Sequence, residues 1–133
     1  MIDIENEVYT AVAKHLRGKF KSIFLTGEYV ESPPKFPAVS LIEIDNTSYD
    51  RTQSSDSSEN HAEVVYEVNV YANSGKNKSE CKAIMREADS VLQSLGFTRI
   101  MCEPIMNMAD PTIYRMVGRY QGVVSLNKTI YRR

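Results

Sequence analysis

HAEVVYEVNVYAN, residues 61–73, alternates with a period of two: Ala62, Val64, Tyr66, Val68, Val70 and Ala72 share one parity. Glu63, Glu67, Asn69 and Asn73 take the other, interrupted by Val65 and Tyr71. Successive side chains of a strand point to opposite faces, so the pattern predicts a central strand with one face against a core. The interruptions make the second face more than a wetted surface. The strand itself carries no chemistry.

The core that this strand needs comes from two helices. Cys81, Ile84, Met85, Ala88, Val91, Leu92 and Leu95 recur at three- and four-residue spacing, a complete helical stripe over 77–95. Asn77 with Glu80 has the spacing of a capping box, and Gly96 supplies a stop. Ile4, Val8, Ala11, Val12 and Leu16 make a second stripe near the start of the chain. There Asp3 is placed to cap, Glu5 and Glu7 lie in the first turn, and Gly18 suits the end. His15 lies beside the stripe without a ligand-spaced partner and reads as a surface or boundary histidine.

Outward from the helices, residues 20–25, 38–45, 97–108 and 113–126 read as further strands, with a short one at 129–131. Three prolines in SPPKFP, residues 32–37, forbid regular structure there, and Phe36 is placed to anchor that arm. Pro104 removes a ladder donor, which marks its strand as an edge or a bulged one. Met101, Met106, Met108 and Met116 cluster around the following turn and read as gap-filling core. Gly118 and Gly122, four apart on the apolar face of the last long strand, leave room for bulky neighbours such as the second helix. Residues 46–60 are polar, with five serines, and are expected to form a flexible loop that orders on a partner or tips a hairpin.

The predicted order is α-β-β-β-α-β-β in one α+β domain spanning residues 1–133, with an antiparallel or mixed sheet and both helices on one face. Such a layout leaves the other sheet face uncovered. Glu63, Val65, Glu67, Tyr71, Arg115, Val117 and Arg119 lie there, and their mixture of charge and apolar bulk predicts a subunit interface. Arg132 joins this set from a basic stretch, 115–133, that has five bases and no acid.

Composition fits that picture. With 42% hydrophobic residues in 133, one real core needs neither disulfides nor metal. The net charge of −1 argues against general affinity for nucleic acid or anionic membrane. Residues 1–60 nevertheless carry ten acids and six bases, against seven and ten in 61–133. Cys81 and Cys102 make no disulfide framework and fit a reducing compartment. The opening MIDIENEVYT is acidic and has no apolar run, unlike a signal peptide, and no stretch approaches the roughly 18 apolar residues of a membrane span.

Catalytic patterns are absent: no G-x-S-x-G, Walker loop, G-x-G-x-x-G, H-E-x-x-H or C-x-x-C occurs. Glu43/Asp45 and Glu63/Glu67 share strand faces in the manner of solvated charge, not of an acid–base dyad. The aromatic platform of an RNA-binding sheet is missing as well. The expectation is a chain that is not an enzyme and takes no cofactor or metal.

Nearly the whole chain resembles the tail terminator family of tailed bacteriophages, also described as tail completion or minor capsid proteins. The residues concerned are the acidic amphipathic start, PPKFPAVSLIEIDN at 33–46, the polar loop, EVVYEVNVYANSG at 63–75, KSECKAI at 78–84, RMVGRYQGVV at 115–124 and TIYRR at 129–133. The resemblance implies a structural virion protein forming a ring, commonly a hexamer, on the head-proximal end of the tail tube. It would end tube polymerisation and join the tail to the neck. The implied partners are other copies of the chain, the tail tube protein, a neck or connector protein and, in a contractile tail, the sheath protein. DNA would pass through the ring without specific binding. The implied location is a virion, prophage product or tail-like particle assembled in the host cytoplasm. Rival expectations are another neck component, a stopper or adaptor, and a ferredoxin-like regulatory domain that binds a small molecule.

Overall fold

The computed structural model describes residues 1–48, 61–107 and 110–131. Its elements are α1 (Glu5–Lys19), β1 (Phe24–Thr26), β2 (Ala38–Ser48), β3 (His61–Ala72), α2 (Asn77–Leu95), β4 (Thr98–Pro104), β5 (Tyr114–Ser125) and β6 (Ile130–Tyr131). The six strands form one mixed sheet in the order β1-β2-β3-β5-β4, with β6 also pairing to β5. The fold is α+β, as the alternation and the two stripes predict.

The alternation of β3 sorts the sheet into two faces. All six even residues, Ala62 to Ala72, are fully buried. Val8, Val12 and Leu16 of α1 and Cys81, Ile84, Ala88 and Leu92 of α2 pack on them, so both helices lie on one side. Registers Val64↔Gly122 and Val68↔Gly118 bring the β5 glycines to the same side. A Cβ on Gly118 would stand 3.1 Å from the Met85 sulfur of α2, and one on Gly122 would stand 2.9 Å from the Phe97 ring. Gly118 thus makes room for Met85 and the Tyr120 ring, and Gly122 for Phe97, which uses that space to meet Tyr66 edge-on at 5.4 Å.

Several boundaries move from where the sequence puts them. α1 starts at Glu5, with Ile4 in the cap position; Asp3 accepts only the Glu5 amide, at 3.1 Å. Gly18 stays inside the last turn and Phe20 ends the helix. The Asn77–Glu80 capping box does not form. Lys76 is the cap residue, and the Asn77 carboxamide oxygen accepts instead from the Ser74 and Gly75 amides of the preceding turn. Gly96 does end α2, at a left-handed φ of 113°. β1 is a three-residue parallel partner of β2 and begins at Phe24, because Phe20 to Ile23 turn first.

β2 continues to Ser48, so the predicted polar loop loses its first three residues to a strand; the rest, 49–60, lies outside the described residues. β4 is an edge strand ending at Pro104, with a bulge between Arg99 and Met101. β2 has its own bulge between Glu43 and Asp45. Beyond Ser40 the outer side of β2 meets the start of the chain: the Glu43 amide donates to the Glu5 carboxylate, and the Asn46 carboxamide to the Ile2 carbonyl. The methionines do not act as one group. Met116 is core, Met106 is 70% exposed, and Met108 lies outside the described residues.

Cys81 is buried and Cys102 exposed, and both are free thiols. Burial pushes the Cys81 thiol up to about 12.

Candidate functional site

The seven described residues expected at an interface do share the sheet face away from the helices. Register aligns Tyr71 with Arg115, Asn69 with Val117, Glu67 with Arg119 and Glu63 with Val123 across β3 and β5. On β2, Ala38 faces Tyr71, Ser40 faces Asn69 and Ile42 faces Glu67. Arg132 lies outside the described residues.

This face is not the bare surface that the helix count implies. The segment after β1 folds over one end of it. The Tyr71 hydroxyl donates to the Val30 carbonyl at 2.7 Å, and the Asn107 carboxamide donates to the Glu31 carbonyl at 2.8 Å. Phe36 anchors the arm as expected, packing with Phe24 and Val30 on Ala38, Tyr71 and Ile113 in a small second core. Burial raises the Tyr71 hydroxyl above its ordinary value, opposed by the nearby Arg115 guanidinium. Tyr71 and Val117 are thus enclosed by their own chain, and cannot be docking surface.

The centre of the face is a connected polar cluster. Asn69, fully buried, accepts through its oxygen from Arg115 Nε and Nη2 at 3.0 and 2.7 Å. Its nitrogen donates to Ser40 Oγ at 3.2 Å and to Glu67 Oε1 at 3.0 Å. Arg119 Nε closes the set on Glu67 Oε2 at 3.0 Å, while Arg115 stands 4.0 Å from the same carboxylate. Gln121 donates to Glu63 alongside. Arg115 also lies over the Tyr29 ring, 5.9 Å from its centre.

Arg115 and Arg119, expected at a subunit interface, are therefore not unengaged charges. Both have their partners in the chain itself, because pairing of β3 with β5 sets Glu67 directly opposite Arg119. Two guanidiniums share the Glu67 carboxylate, and Glu63 is the second acid of the same face, so its named charges balance. Arg115 is only 16% exposed and serves the fold; Arg119, at 45%, can still offer its outer nitrogens. Ser40 and Asn69 are the members that the interface expectation missed. Their signal was parity: each is a small polar residue amid valines and leucines of a strand that otherwise reads as buried.

Elsewhere, His15 gains a partner that local spacing could not show, Glu87 of α2, at 2.8 Å. Between α2 and β4 lies a cleft of about 290 Å³ lined by Met85, Met116, Pro104, Lys82, Arg86 and Arg99 among others. Among the described residues no group of His, Cys, Asp and Glu side chains could hold a metal ion, and no helix is long and apolar enough to cross a membrane. What the arrangement offers is a hydrogen-bonded charged face and two dissimilar sheet edges. Compared with models of known protein families and with curated proteins, the chain finds no match.

Proposed function

We propose that the chain is a structural ring subunit of the tail-terminator kind. In this reading it caps the head-proximal end of a phage tail tube, ends its polymerisation and offers the neck or connector a landing surface. The observation that carries the reading is the asymmetry of the subunit. Both helices are committed to one face, and the sheet ends in two unlike edges: β4 on one side, and on the other the short β1 followed by the part of β2 beyond Ser40, beside the chain start. A closed ring needs two different, mutually complementary patches on every copy, whereas a two-fold dimer needs one patch that matches itself. The sequence resemblance over 33–46, 63–75 and 115–124 points the same way.

Electron microscopy of the purified protein should show uniform six-fold rings. Added to a polymerising tail tube protein, it should halt elongation with one ring at one end of each tube. A monomer or dimer that leaves tube length unchanged would refute the proposal. A ring that binds a connector but not a tube end would reassign the chain to another neck position.

A further inference from the structure

The two edges differ in a way that makes them fit each other. In β2 the bulge lifts Ile44 out of the ladder, and 41% of this isoleucine is exposed. Glu43, whose carboxylate accepts the Tyr66 hydroxyl on the helix side, and Asp45, in register with Val65 of the other face, flank it in the chain, and Glu5 and Asp3 lie near Glu43. None of these four carboxylates has an ion pair among the described residues. Burial holds the Glu43 carboxyl above its ordinary value, and the charges of Glu5 and Asp3 raise it further. The result is an exposed apolar residue on an edge with acids on both of its sides.

The cleft between α2 and β4 has the opposite character. Met85, Met116 and Pro104 supply apolar walls, and Lys82, Arg86 and Arg99 supply cations. Asp89 is already committed to Arg99 at 3.0 Å and to the Tyr120 hydroxyl at 2.7 Å, which leaves Glu103 as the other acid. Lys82 and Arg86 have no ion pair among the described residues. A volume of about 290 Å³ is ample for one branched aliphatic side chain.

The strand order sets β2 and β4 on opposite sides of the β3–β5 pair, so Ile44 and the cleft of one subunit cannot meet each other. We infer that they meet between copies: Ile44 of one subunit, with the acids on both of its sides, seats in the α2–β4 cleft of the next. The contact is heterologous and repeats from copy to copy, closing into a ring where the rotation allows. Its chemistry is that of an anchor: an apolar group excludes water at the centre, and paired charges around it set register and orientation. The inference rests on the ring reading above and names the surfaces that would make it.

Two full-length variants test it by native mass spectrometry: Ile44→Lys/Asp45→Lys on the β2 edge and Lys82→Glu/Arg86→Glu on the cleft. All four positions carry side chains outside the core. Each variant alone should lose the ring at concentrations where the wild type forms it. Mixed in equal amounts they should reassemble, at least to heterodimers, because an intact β2 edge then meets an intact cleft and the reversed charges also match. Reassembly further shows that both variants are folded. A ring that survives in either variant, or a mixture that stays monomeric, overturns this contact and leaves the ring itself standing. A wild type that is monomeric throughout overturns the ring reading and the contact with it.

Discussion

The two faces of the sheet are buried by different means. Against the helices, Ala62, Val64, Tyr66, Val68, Val70 and Ala72 are enclosed by aliphatic side chains that need only the right volume. On the other face Ser40, Glu67 and Asn69 are nearly as deeply buried, yet they are held by directed bonds to Arg115 and Arg119. The first face depends on filling space. The second depends on connectivity, since a buried polar group that loses its partner costs far more than a bond between exposed groups would return. A strand can therefore be central to a fold while only one of its faces is hydrophobic.

The largest effect belongs to the helix face. Leu92 is fully buried in α2, and Leu92→Ala should cost about 2–5 kcal/mol, read as a lower urea midpoint with an unchanged slope. An unshifted midpoint would break the account of that face. On the polar face, Asn69→Ala removes the acceptor of Arg115 and the donor to Ser40 and Glu67 together. It should cost about 1–3 kcal/mol, and the same substitution in an Arg115→Ala background should cost less, since the partner has already gone. Additive losses would show that the cluster is a set of independent surface contacts.

Two glycines sharpen the packing side. Gly122→Ala would press on the Phe97 ring from 2.9 Å and should cost about 1–3 kcal/mol in thermal unfolding. Gly118→Ala meets the Met85 sulfur from 3.1 Å. The Tyr120 ring stands 3.2 Å away as well, but neither contact is as close as that at Gly122 and a thioether can move, so that loss should be the smaller of the two. The reverse order would mean that Phe97 is free to shift.

The smallest effect is one of pH. Glu43 has its folded value raised above the ordinary 4.5, chiefly by burial, so folding favours its protonated form. The stability that it contributes is complete below 4.5 and fades as pH rises through the folded value. Glu43→Gln keeps an acceptor for the Tyr66 hydroxyl and removes that slope. Urea midpoints from pH 4 to 7 should therefore shift in favour of the variant as pH rises, and a constant difference would remove Glu43 from the account.

Local rules made much of this fold legible. Helical stripes located α1 and α2, and alternation assigned both faces of β3 and β5. Apart from the helix caps, where Ile4, Lys76 and Phe20 take the places expected of Asp3, Asn77 and Gly18, misplaced features were those decided by distant partners. Nothing near Phe24 announces a parallel pairing with Ala38. Nothing periodic in 27–37 shows that this arm will close over Tyr71, a residue some forty positions away. Parity alone put Glu67 and Arg119 on a common face, and only the register made them neighbours. The cleft and the exposed Ile44 escaped for the same reason: one needs α2 beside β4, the other a bulge that composition does not encode.

Those bulges have a consequence for how the chain meets others of its kind. A straight, open strand is a template on which any other chain can stack, and repeated stacking leads towards fibrils. Both long edges here are kinked, at Glu43/Asp45 and at Arg99/Met101, and β4 ends on a proline without an amide to give. An irregular edge refuses indiscriminate neighbours. A chain edged in this way is expected to stack less readily than one with straight edges.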